Sequence, residues 1–291
     1  MDERADESVL VPVFWRRGAV MLAILAALAV QPAAAQDSSG DAKDTADAAE
    51  GAEAEEAHAH DARHDNYIYG RPAQPSRAWM LSMGGRIYDN WWLALNVPAP
   101  QGTHPSWPAS NTEKSGDTTW RCASCHGWDY LGVAGQRASD EYKTGIVGVR
   151  GAIGMSTDEV EAILRDDTHQ YTQAMISSDA TEWLRLFLSQ GQHDANAYIN
   201  AKTGEVAGDL MGGRDIFQNI CAACHGYDGT ALDWGDNGEH AYIGTEANAN
   251  PWEVLHKIRN GHPGHEMVTL RAFPIEDSVN VLAFERTLPE E

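Results

Sequence analysis

The sequence predicts an all-α fold built from two copies of one helical unit. Three observations carry that expectation. Met83-Gly-Gly-Arg86 recurs 128 residues later as Met211-Gly-Gly-Arg214. Cys122-Ala-Ser-Cys125-His126 recurs 99 residues later as Cys221-Ala-Ala-Cys224-His225. Behind each cysteine motif comes a Gly-rich loop, then apolar residues at helical spacing.

The composition bounds the possibilities. The 291 residues carry 43 acids against 21 bases, a net charge of −22. Nucleic-acid binding by a basic surface is excluded, because counterion release needs clustered Lys and Arg. An apolar share of 43 % and ten Trp are enough for a real core.

The elements follow in order. Arg16-Arg17, the apolar run Gly18 to Val30 and Ala33-Ala34-Ala35 have the form of a cleaved export signal over 1–35. The run of 13 residues is short of the about 20 needed to cross a bilayer, so the mature chain is not expected to span a membrane. Residues 36–66 read as an acidic disordered leader. Positions 37–65 hold ten acids, two bases and no aromatic residue, too little apolar surface to offset chain entropy. Three histidines there, His58, His60 and His64, could collect metal, but a solvated spacer is the default.

The first unit is expected over 67–190 and the second over 209–291, joined by a polar linker at 191–208. The two repeat offsets differ, so the first unit holds about 29 extra residues, roughly 91–119. Four prolines and three tryptophans in that insert predict an ordered loop packed on aromatics. Thr157 to Arg165 should be a helix with Val160, Ile163 and Leu164 on one side, opened by Ser156 and Glu159. Pro251 to Arg259 should be its counterpart, with Pro251 in the first turn. Closing helices are expected at Asp179 to Leu188 and Glu276 to Leu288.

All four cysteines fall in the two C-x-x-C-H motifs, the pattern of c-type haem attachment. Cysteines three apart on one turn reach the two vinyl carbons of one haem edge, and the following His lies under the iron. His126 and His225 are therefore the expected proximal ligands of two covalent haem c groups. The sixth ligand should be Met or His. In the second unit Met267 stands first, with His262 and His265 as competitors. In the first unit Met175 stands first, with Met155 and His169 as competitors. His104 in the insert reads as structural. Trp120, Trp128 and Trp234 read as porphyrin-packing residues.

With these residues in hand, the chain resembles the class I c-type cytochromes in a tandem di-haem arrangement, over roughly residues 80–289. The matching pattern is an opening helix with glycine and an aromatic (Gly85 and Tyr88; Gly213 and Phe217), then C-x-x-C-H-G, a loop, a Met ligand, and a closing helix with Phe187 or Phe284. The resemblance implies that Cys122, Cys125, His126 and Met175 serve one haem, and Cys221, Cys224, His225 and Met267 the other. The Trp-rich insert departs from a short class I unit. It is similar to di-haem cytochromes of bacteria that live on inorganic electron donors, iron oxidisers included.

The function expected is periplasmic electron transfer by two His/Met haems, with no catalytic residue of its own and partners that dock through a basic face. The alternative is an oxidoreductase that takes electrons from a small inorganic donor, Fe(II) first among them. Thiosulfate fits less well, because no cysteine is spare and the net charge repels an anion. Peroxide fits less well, because both irons would be saturated.

Overall fold

The computed structural model describes residues 72–291 apart from Asn237. The expected export signal (1–35) and acidic leader (36–66) lie outside the described residues. Those residues all belong to one compact unit. They are helical, with strand pairing limited to two isolated bridges, Gly132 with Val147 and Ile199 with Val206.

Helix α1 (Arg77–Leu95) opens on Ser76, whose hydroxyl accepts from the Trp79 amide at 3.1 Å. The helical geometry breaks at Asn90, where the side-chain carbonyl accepts from the Leu93 amide and restarts the last turn. Trp91 and Trp92, expected in the insert, are therefore helical and buried, and the helix ends only at Asn96 in the left-handed region. The chain then makes a long excursion before the short helix α2 (Cys122–His126). As expected, aromatics order it. The Trp120 indole donates to the Gly102 carbonyl, and the Trp91 indole donates to the Trp120 carbonyl. His104, Trp107 and Trp120 are buried.

Helix α3 (Thr157–Leu164) starts in the expected capping box of Ser156 and Glu159, and buries Val160 and Leu164 one turn apart. Helix α4 (Ser178–Leu186) closes the first half and runs into a wider turn, Phe187–Gly191. In the second half α5 (Leu210–Ile216) continues through a similar wide turn, Phe217–Cys221, directly into α6 (Ala222–His225). No excursion separates them, which accounts for the unequal repeat offsets. Helices α7 (Ile243–Ala249), α8 (Pro251–Asn260) and α9 (Ile275–Glu285) complete the chain.

The two halves repeat one helix crossing. α1 lies across α4, and α5 lies across α9. A Cβ on Gly84 would meet the Trp183 carbonyl oxygen at 2.1 Å, and one on Gly213 would meet the Asn280 carbonyl oxygen at 1.9 Å. Four residues on, Tyr88 meets Phe187 with ring centres 5.6 Å apart, and Phe217 meets Phe284 at 5.5 Å. The crossing glycine of the first half is thus Gly84 rather than the expected Gly85. Gly85 serves another contact, since a Cβ there would meet the side chain of Asn260 at 2.2 Å.

Two apolar cores result, one per half, and Trp252 packs against both. The polar stretch 191–208, expected as a linker, contributes Ala195 and Ile199 to the second core. Between the halves runs a polar seam of α1 against α8. His256, fully buried, donates from Nε2 to the Gly85 carbonyl at 2.9 Å, so its Nδ1 must accept from the Tyr130 hydroxyl, also at 2.9 Å. Arg86 reaches the Asn260 carbonyl at 2.9 Å and the Met267 carbonyl at 3.3 Å.

Candidate functional site

Two cavities stand where the sequence places its motifs. The first, of about 480 Å³, is lined by Cys122, Cys125 and His126 from α2, by Val160 and Leu164 from α3, and by His169. The second, of about 330 Å³, is lined by His225, Trp234, Glu285, His262 and Met267, with Arg121 entering from the first half. Both volumes fall within the roughly 300–1,000 Å³ of cofactor pockets.

The first motif folds as one helical turn because Arg121 is extended and Gly127 leaves the helix at positive φ. The turn brings both thiols and the imidazole to one wall. The Nδ1 of His126 donates to the Val147 carbonyl at 2.6 Å, which leaves its Nε2 lone pair free. Burial pushes the His126 imidazole down to about 4, so the ring is neutral and competent as a ligand. Burial also pushes the Cys122 and Cys125 thiols up to about 12, Cys125 adding to the effect on Cys122.

The opposite wall does not carry Met175. That residue packs at the edge of the first core, and its sulfur accepts from the Thr172 amide at 3.5 Å. Met175 is absent from the cavity lining, whereas its competitors His169 and Met155 are both on it. The His126 and His169 rings lie with centres 6.3 Å apart and planes 23° apart. The Nδ1 of His169 stands 3.2 Å from Asp166 Oδ1, and the His169 carbonyl accepts from His104 Nε2 at 2.9 Å. His104 is structural, as expected, and what it holds is the His169 loop.

The register explains the displacement of Met175. Arg165 and Arg259 end equivalent helices and clamp the carbonyls of the following loop. Each loop is closed by a backbone bond, Tyr171 to Leu164 in one half and Leu270 to Ile258 in the other, both at 2.9 Å. The second loop is five residues longer between those closures. Met267 lies inside its loop, as His169 does. Met175 lies beyond the closure, on the approach to α4.

In the second cavity His225 and Met267 face the same space, with His262 beside them. His265, the other competitor, is not on the lining, although its ring packs on that of His262 at 4.8 Å. Burial lowers the His225 pKa, and its Nδ1 has no hydrogen-bond partner. Cys221 packs against the second core and Cys224 is exposed; neither thiol lines this cavity. Trp234 stands 6.1 Å from His225, ring centre to ring centre.

A charged cluster that sequence reasoning missed lies between the cavities. Asp89 of α1, 1 % exposed, takes Arg121 on one carboxylate oxygen and Lys257 on the other, the latter at 2.5 Å. Burial alone would raise the Asp89 carboxyl, but Lys257 and Arg121 outweigh it and hold it below the ordinary range. Arg121 lines both cavities. The one signal in the sequence is the acid itself, placed among buried residues of a helix.

Glu285 of α9 is a second omission. It is buried, lines the second cavity, and its Oε2 has no partner; burial raises its carboxyl to about 8. Among the described residues no group of three or more His, Cys, Asp or Glu could hold a metal ion by side chains alone. No helix among them is long and apolar enough to cross a membrane. No protein-family model and no curated protein matches the chain.

Proposed function

We propose that the protein is an exported, periplasmic electron carrier of two class I cytochrome c units in tandem, each holding one covalent haem c. The observation that carries the reading is the repeated pairing of a C-x-x-C-H turn with a cavity that its histidine faces. In the first half both thiols, a neutral imidazole and an apolar wall meet in one cavity, which fits a thioether-bound porphyrin. In the second half His225 and Met267 line one cavity and would be the two protein ligands of its iron.

Haem c supplies one-electron chemistry by moving between its ferrous and ferric states. The residues position it. Cys122 with Cys125 would anchor one edge at the first cavity, where the Val147 carbonyl orients the His126 ring; Cys221 with Cys224, which lie off the second cavity's lining, are the second pair of thiols available for attachment. The sulfur of Met267, as a ligand, would favour the ferrous state and raise the potential. Arg121, common to both cavities, brings the two sites into adjacency, and a net charge of −22 favours docking partners with a basic face.

The test is a redox titration of the purified holoprotein, with covalent haem counted by its alkaline pyridine spectrum. Two haems per chain that titrate reversibly support the reading. A chain without covalent haem sinks it. Ferrous iron added to the oxidised protein examines the alternative, an Fe(II) oxidoreductase. Multiple turnovers with an external acceptor would move that activity to the front.

A further inference from the structure

We propose that His169, rather than Met175, is the sixth ligand at the first cavity, which would place that iron between two imidazoles. The inference rests on the two-haem reading above. A metal–imidazole bond is about 2 Å long and the ring centre lies about 1 Å behind the nitrogen, so imidazoles on opposite sides of one metal have centres about 6 Å apart. The His126 and His169 centres are 6.3 Å apart.

In both rings the Nδ1 is already engaged. Each Nδ1 is taken by an acceptor, the Val147 carbonyl at 2.6 Å and Asp166 Oδ1 at 3.2 Å. Each Nε2 is thereby the lone-pair nitrogen, the arrangement of a ligating histidine held by an outer partner. The loop carrying His169 is also pinned. Asp166 Oδ1 accepts from the His169 amide at 2.8 Å, and His104 holds the carbonyl. Met175 offers none of this, because it lies past the loop closure and off the cavity wall. Met155 lines the cavity but belongs to the same loop as Val147, the residue that anchors the opposite ligand.

The two sites then differ in kind. A thioether at position 267 favours the ferrous state more than an imidazole at position 169 does. The first site becomes the lower-potential member and the second the higher, so electrons entering at the first cavity run downhill to the second.

The test uses the full holoprotein and five single variants. A count of two covalent haems per chain comes first; a lower count overturns the two-haem reading itself. With two haems present, the near-infrared band of ferric iron bound to sulfur is measured. The expected intensity is that of one haem, lost in Met267→Leu and unchanged in Met175→Leu and Met155→Leu. In His169→Ala one haem should become high-spin and bind CO, with both haems retained. In His169→Met the lower midpoint potential should rise by at least about 59 mV, a tenfold change in a one-electron equilibrium. Band intensity for two haems, or loss of a band in Met175→Leu or Met155→Leu, overturns the His169 assignment and leaves the two-haem reading standing.

Discussion

At the scale of single residues, two buried carboxyls behave in opposite ways. Asp89 has both oxygens taken by cations, so its charge is needed. Asp89→Asn leaves Arg121 and Lys257 facing each other with little exposure. The expected cost is about 3–5 kcal/mol, read as a lower denaturant midpoint at unchanged slope. For Glu285 burial sets the shift, so its charge is penalised. Its folded pKa of about 8 lies above the unfolded value of 4.5, so the unfolded state loses its proton first as pH rises. Stability is fully present below pH 4.5 and lost as pH climbs through 8. Glu285→Gln removes that loss. The stability advantage of the variant over wild type should grow between those two pH values, by several kcal/mol at most (about 1.4 kcal/mol per pH unit). Unfolding curves recorded across that range check it, and a constant difference would show Glu285 to be charged in the fold.

At the scale of elements, the helix crossings set the frame. The Gly84 and Gly213 contacts leave no room for a methyl group against backbone oxygen, so the helices would have to part. Gly84→Ala and Gly213→Ala should each cost about 3 kcal/mol or more, since backbone cannot move aside as a side-chain tip can. Thermal melts of the two variants give the measurement. Much of this level was legible in the sequence. The capping box at Ser156, Pro251 in a first turn, the aromatic-packed excursion and the turn of each cysteine motif follow from local chemistry, and local chemistry is what a sequence displays. The register between halves was not. Gly84 and Gly85 are adjacent and chemically identical, and only the packing partner tells that one faces α4 and the other α8. The placement of Met175 off the first cavity's lining escaped for a related reason. Counting from Arg165 and Arg259 assumes loops of one length, but backbone closures at Tyr171 and Leu270 make them differ by five residues. Asp89 and Glu285 gave no periodic signal, because a buried charge is justified only by partners distant in sequence, or by its cavity.

At the scale of the whole molecule, the two halves are joined by a seam with His256 at its centre. Burial pushes the His256 imidazole down to about 4, against 6.5 in the unfolded chain. The unfolded state therefore binds the proton first as pH falls. The contribution of His256 is complete above pH 6.5 and is lost towards pH 4, on the order of 3 kcal/mol across that window. In His256→Phe, which cannot titrate, the stability difference from wild type should shrink on acidification, and denaturant titrations at both ends of the window decide it. A second expectation at this scale concerns charge. Reduction by a basic partner should slow steeply as ionic strength rises, because a net charge of −22 acts mainly on the encounter rate. Stopped-flow rates that ignore salt would point to an uncharged docking face.

On the two-haem reading proposed above, the seam would have a kinetic consequence. Electron tunnelling falls off exponentially with separation, so two centres on a slack tether would exchange at a spread of rates, dominated by rare close approaches. Here Asp89, Arg121 and Lys257 fix the gap between the cavities through side chains anchored in both halves. With a haem in each cavity, as proposed above, a gap of fixed width would turn that spread into a single rate constant, one that does not depend on how the solvent jostles the chain.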